Sequence, residues 1–321
     1  MSVITEQPTN RQNGRSTNNG PASGDAGGFG EAEARSRVGL AKKFMIALRT
    51  ARPDPILREF VRVYAQREVG PSESRAEALV ETIPARLEQI LEFQFGEPFH
   101  VFHWEGHSEF TPKVAVIGAQ VQGCSRIELR SGIQSFGVFF RPAGLSRLIG
   151  LPVRELAHRN YDGALVSKLL PGLWSELADC LTFPQRVRVI EKSLLSLVAS
   201  ALPKDPAIDV AERVFSLRGQ VRISKLAAQT GLGLRQFERR FSHTIGMPPK
   251  FYARVARFQS ALDAKIARPN RSWLEIAHDL DYHDQMHMIR DFRLLGGGTP
   301  NHILARIGDI RPVAIFTGEP S

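Results

Sequence analysis

Residues 223–249, ISKLAAQTGLGLRQFERRFSHTIGMPP, and residues 273–300, WLEIAHDLDYHDQMHMIRDFRLLGGGTP, carry one pattern twice. Leu226-Ala227 align with Ile276-Ala277, Phe237 with Met288, Arg239 with Arg290, Phe241 with Phe292, Gly246 with Gly297 and Pro249 with Pro300. The offset is 50 residues before the central turn and 51 after it, so the second turn is one residue longer. Each copy reads as helix, short turn, helix. A helix-turn-helix needs a small residue where its helices cross and apolar residues on the inner face of the second helix, which leaves the outer face for DNA. Ala227 and Ala277 meet the first need; Phe237 with Phe241, and Met288 with Phe292, meet the second by recurring at i and i+4.

Between the copies, Phe251, Val255, Phe258, Leu262 and Ile266 form one apolar stripe at helical spacing. A helix from Pro249 to Arg268 would run about 30 Å at ~1.5 Å per residue. That length suits two recognition helices placed roughly one DNA turn, about 34 Å, apart.

With these motifs in place, residues of about 208 to 308 resemble the tandem helix-turn-helix domain of AraC-type transcriptional regulators. The first-repeat pattern of that family is matched by Ala227, Gly231, Arg235, Phe237, Arg239, Phe241, Pro249 and Tyr252. The second is matched by Tyr282, Asp284, Gln285, His287, Arg290 and Phe292. Through FGVFFRPAGLSRLIGLPVREL, the preceding region resembles the sensor-like domain of one branch of the family. The resemblance implies a transcription regulator whose partner is double-stranded DNA, with a small-molecule effector, a homodimer contact and RNA polymerase as further partners.

Helical geometry assigns the DNA-facing residues. On the first recognition helix Leu234, Arg235, Glu238 and Arg239 face outward; on the second, Gln285, Met286, Ile289 and Arg290 take the matching positions. Arg235 can bond guanine bidentately, Glu238 can accept from cytosine and Gln285 can read adenine. Arg239 recurs as Arg290, which gives it a structural share beside phosphate contact. Ser272 to Glu275 forms a capping box ahead of the second motif. Gly233 replaces the family's serine cap, and Asp281 stands where the turn usually has glycine, a left-handed position.

His283-Asp284-Gln285-Met286-His287 differs from the zinc motif H-E-x-x-H by one carboxylate exchange. Here Asp284 is placed to cap the second recognition helix, so His283 precedes that helix and the histidines do not share its face. A second group, His100, His103 and His107 with Glu105 and Glu109, is the alternative that would make the N-terminal region a metal-dependent β-barrel enzyme. Alternation sets His100 and His103 on opposite faces, and Gly106 marks a hairpin tip. A suicide DNA-repair function would need an activated cysteine, and neither Cys124 nor Cys180 has such a motif. Both cysteines read as core fillers, and Trp104 and Trp174 as packing or pocket residues. No catalytic residue, metal or cofactor is expected.

The 321-residue chain carries 42 Lys plus Arg against 33 Asp plus Glu, a net charge of +9, which favours an acidic partner. Two cysteines provide no disulfide framework, no apolar run approaches a membrane span of ~18 residues, and the N-terminus lacks a secretory pattern, so a cytoplasmic protein is expected. Residues 1–38 read as a disordered leader rich in Gly, Ser, Asn and Thr. Residues 45–203 read as a β-rich sensor-like domain: KVAVIGAQ, SRIELRSG and QSFGVFFRPAG are short apolar runs closed by Gly or Pro, and helical periods follow. ARLEQILEFQFGEPFHVFHW suggests a β-hairpin turning at Gly96. The fold class expected is α+β: a barrel- or sandwich-like β domain with closing helices, an all-α tandem helix-turn-helix domain at 208–308, and a tail at 309–321.

Overall fold

The computed structural model describes residues 46–70, 78–103, 106–119, 125–150 and 160–307. The leader expected at 1–38, the tail at 309–321, Trp104, Glu105 and Cys124 lie outside the described residues.

The N-terminal domain is built from two antiparallel sheets. The larger contains β1 (Ile46–Ala51), β2 (Val61–Val69), β4 (Ile90–Gln94), β7 (Val114–Ile117), β9 (Gln134–Phe140) and β10 (Asn160–Asp162), in the order β1-β2-β9-β4-β7-β10. The smaller runs β3 (Leu79–Ile83), β8 (Ser125–Leu129), β5 (His100–Phe102) and β6 (Ser108–Phe110). Both sheets are open, so the architecture is the sandwich side of the expectation and not a closed barrel. Period-2 alternation divides the larger sheet into two buried faces. Tyr64, Leu91, Phe93, Phe136, Val138 and Phe140 lie under helices, against Leu145, Leu177, Phe183 and Ile190. On the other face Val63, Ala65, Ile90 and Phe139 pack together, while Val69 joins Leu79, Val101, Ile127 and Leu129 of the smaller sheet.

The covering helices are α1 (Gly144–Ile149), α2 (Ala164–Leu169), α3 (Leu173–Ala178) and α4 (Phe183–Val198). A capping box between Thr182 and Gln185 starts α4. Trp174 packs: its Nε1 donates to the Gln94 carbonyl at 2.8 Å, and Lys113 sits 4.5 Å above its ring.

The hairpin expected across Gly96 does not form. β4 pairs with β7 and β9 in the larger sheet, whereas β5 pairs with β6 and β8 in the smaller. The turn at Gly96 carries the chain from one sheet to the other. A Cβ there would lie 2.0 Å from the Gly132 carbonyl oxygen, so only glycine permits this crossing. The hairpin in this region lies one step later, between β5 and β6, with Gly106 at φ +96° in its tip.

The helical domain follows as α5 (Pro206–Ser216), α6 (Ile223–Gln229), α7 (Leu234–Ile245), α8 (Pro249–Ala267), α9 (Trp273–Asp279), α10 (Gln285–Gly296) and α11 (Pro300–Ile307). The repeat therefore yields two helix-turn-helix units, α6–α7 and α9–α10, joined by α8. Ala227 and Ala277 are buried at the crossings, as are Phe237, Phe241, Met288 and Phe292. Phe258 of α8 meets Phe292 edge to face at 4.8 Å, and Trp273 meets the same ring at 5.3 Å.

Asp281 holds φ 56° in the turn between α9 and α10. A non-glycine residue in this left-handed region costs roughly 1 kcal/mol. Asp281→Gly should therefore raise stability to urea by several tenths of a kcal/mol, reduced by the extra chain entropy of glycine. A destabilised variant would show that the Asp281 side chain supports the turn.

Candidate DNA-binding interface

Each recognition helix is fixed by the turn before it. In the first unit the Thr230 hydroxyl donates to the Ala227 carbonyl at 2.7 Å, Gly231 takes φ +70°, and Gly233 caps α7 with no side-chain bond. The second unit uses more side-chain chemistry. Ser272 and Glu275 cap α9 reciprocally, and the Asp284 carboxylate accepts from the His287 amide to cap α10. The His287 amide bond, followed by the His283 side chain, holds the Asp284 carboxyl below the usual carboxylate range. Tyr282 is buried in the turn with Arg257 of α8 over its ring at 5.2 Å, and Arg257 also donates to the Gly219 carbonyl at 3.0 Å. Thus α8 braces the turn of the second unit and the end of α5 together.

Leu234, Arg235 and Arg239 are exposed on α7, with Glu238 half-buried beside them. On α10, Gln285, Met286 and Arg290 are exposed and Ile289 is half-buried. With ~3.6 residues per turn, Phe237 and Phe241 pointing inward make Arg235, Gln236, Arg239 and His243 the outermost residues of α7. Leu234 and Glu238 occupy its flank. The same geometry adds His287 and Arg293 to the outer face of α10, both exposed. Gln236, His243, His287 and Arg293 fall outside the outward set read from the sequence, although the same helical period contains them.

Charge placement differs from a simple count along the chain. Between Arg235 and Arg271 nine basic residues face two acidic ones, a balance of +7; between Ser272 and Pro300 two basic residues face five acidic ones, a balance of −3. Much of this difference is internal. Arg254 of α8 pairs with Asp291, which is 1% exposed, and Arg271 pairs with Asp279. Arg240 pairs with Asp205, the cap of α5. Arg235 and Arg239 make no ion pair among the described residues, so their guanidinium groups remain available to an outside anion.

The histidines of the two groups weighed as metal ligands have protein contacts. His283, outside α10, meets the Asp284 carboxylate at 3.1 Å, while the His287 ring lies edge-on to Tyr282. His100 contacts Glu128 and Ser108, and His103 contacts Glu109 at 2.9 Å and stacks on His107. Among the described residues no three His, Cys, Asp or Glu side chains form a metal-holding group. Cys180 donates its thiol to the Glu176 carbonyl. No helix among the described residues is long and apolar enough to cross a membrane.

Residues 226–306 match the family described as a helix-turn-helix domain, spanning both units and the helix between them. The C-terminal domain is an AraC-type helix-turn-helix domain. Residues 49–162, ahead of the AraC-type domain, match a family described as a domain of unknown function, DUF6597. No curated protein matches the chain. Among solved structures, ToxT from Vibrio cholerae is similar at 9% identity and a TM-score of 0.42, covering 83% of this chain and 100% of that one. A wild-type ToxT structure from the same organism, described as bound to an unsaturated fatty acid, aligns at 10% identity and a TM-score of 0.42, over 82% of this chain and 95% of that one. The AraC-like transcriptional activator CuxR aligns at 11% identity and a TM-score of 0.28, over 70% and 88%.

Proposed function

We propose that this chain is a sequence-specific DNA-binding transcription regulator. Its N-terminal domain, residues 45–203, controls the DNA-binding domain at 208–308 through a small ligand or a second copy of the chain. Leu234, Arg235, Glu238 and Arg239 of the first unit, with Gln285, Met286, Ile289 and Arg290 of the second, make the groove contacts. One observation carries the reading: two helix-turn-helix units on a shared helix leave their second helices with exposed outer faces, and Arg235 and Arg239 on the first make no ion pair among the described residues. Arginine and glutamine at such positions suit the hydrogen-bonding edges of guanine and adenine in the major groove.

Selection of bound duplexes from a random pool by the full chain should enrich one sequence. Affinity for that sequence should fall linearly in log–log form with salt, at a slope of about −0.9 for each phosphate neutralised. Equal binding to selected and random duplexes would refute sequence-specific readout. A salt-independent affinity would refute the phosphate contacts.

A further inference from the structure

The sandwich and the helical domain meet along a seam of buried charge that base reading leaves unused. The segment Ala85–Gln89, just ahead of β4, enters the helical core. Ala85 and Leu87 belong to the same buried apolar cluster as Val255, Phe258 and Leu262 of α8. The Ala85 amide donates to the Leu295 carbonyl of α10 at 2.8 Å. Beside these contacts Glu88, 5% exposed, bridges the domains: one carboxylate oxygen pairs with Arg62 of β2 at 2.9 Å, and the other accepts from the Gln259 amide of α8 at 3.1 Å. Arg62 in turn lies 5.8 Å from the centre of the Phe215 ring of α5.

One helical turn beyond Gln259 stands Asp263, 8% exposed, and neither of its carboxylate oxygens accepts a hydrogen bond among the described residues. The charged groups acting on it are Glu88 from the sandwich, Arg62 from β2 and Arg218 from the end of α5. Tyr252, three turns earlier on α8, is buried in the same field and also feels Glu212 of α5. A buried carboxylate with no donor, near a second carboxylate, is costly to keep ionised. Arg62 and Arg218 oppose the shift without cancelling it. Burial first, then Glu88, push the Asp263 carboxyl up to about 8.

We propose that Glu88 of the sandwich and Asp263 of α8 form a proton-gated clasp, in which a neutral Asp263 lets the N-terminal domain grip the helix that spaces the two recognition helices. Its consequence for DNA rests on the regulator reading above, but the clasp is testable without DNA. With the seam closed, Asp263 titrates near 8; with the seam open and the carboxyl in water, it returns to the ordinary carboxylate range near 4. The closed form therefore holds a proton that the open form lacks between those limits. Its advantage is fully present below about pH 4, weakens by up to tenfold per pH unit as pH rises, and stops falling above about pH 8. Glu88 and Gln259 are the positioning residues, and Asp263 supplies the proton dependence.

The test is hydrogen exchange of the full chain across residues 84–90 and 255–266, comparing wild type with Asp263→Asn at matched pH between 6 and 9. Matching the pH cancels the intrinsic exchange chemistry. Asparagine mimics the neutral acid, so the variant should exchange more slowly than wild type at the seam. The difference should widen by up to tenfold per pH unit and level off above about pH 8. The inner strands β4 and β9 should show no such gap. A gap of zero, or one that stays constant with pH, overturns the proposal. Should Asp263→Asn fail to fold, Glu88→Gln decides: removing that charge should move the levelling point to lower pH, and an unmoved point overturns the clasp. Failure here leaves the DNA-selection result standing, and failure of that selection leaves the exchange result standing.

Discussion

Replacing Arg254 with Met is expected to destabilise the protein by about 3 kcal/mol, because it strands a buried charge rather than removing a surface pair. Arg254 projects from α8 to Asp291 on α10, and the Asp291 side chain is only 2% exposed while that of Arg254 is 37% exposed. Breaking a buried pair from one side costs ~3–5 kcal/mol; the water reached by Arg254 places this case at the lower end. Asp291→Asn should cost less, since the remaining group is neutral and the arginine can turn to solvent. The double variant Arg254→Met with Asp291→Leu should recover most of the loss, as apolar replacement of a whole buried pair is often neutral. Urea unfolding of wild type, Arg254→Met, Asp291→Leu and the Arg254→Met with Asp291→Leu double variant closes a double-mutant cycle, with Asp291→Asn measured beside it. A loss below ~1 kcal/mol in Arg254→Met would mean that the pair does not hold α8 to α10.

The same pair shows where sequence reading stops. The helical domain was legible because the pattern occurs twice: Ala227 with Ala277, Phe241 with Phe292 and the α8 stripe each had a counterpart or a period, and the structure buries them as read. Caps were legible for a similar reason, since Ser272, Glu275 and Asp284 act within one turn of their partners. The hairpin across Gly96 failed because strand pairing is long-range: β4 finds β9 some 45 residues away, and local alternation does not reveal the sheet that a strand will join. Charge pairing was illegible for the same reason. Asp291 counts as repulsive toward DNA along the chain, but its partner lies 37 residues earlier and both are used internally. For the outward face of each second helix, the helical period gave Arg235, Arg239, Met286 and Arg290 from the sequence, and the burial of Phe237, Phe241, Met288 and Phe292 adds Gln236, His243, His287 and Arg293 to the same face.

Those internal pairs set the terms on which the two units share DNA. In the first unit Arg235 and Arg239 are exposed and without ion pairs among the described residues. In the second, Arg290 lies near the capping carboxylate of Asp284 and contributes to holding it ionised. The first unit should thus dominate attraction to phosphate even after Asp279 and Asp291 are discounted, with the second adding base contacts and shape. Arg235→Ala should weaken binding to the selected duplex by about 1–3 kcal/mol if Arg235 reads a guanine, and should relax the preference at one base position. Arg239→Ala should weaken selected and random duplexes alike and should make the salt slope shallower by about 0.9, as one released counterion requires. Gln285→Ala should cost less than Arg235→Ala and leave the salt slope unchanged, since an uncharged side chain releases no counterion. Titrations of these variants against the selected duplex at several salt concentrations separate the three roles. If Gln285→Ala abolished binding while Arg235→Ala bound normally, the second unit would be the anchor and the division of labour would be reversed.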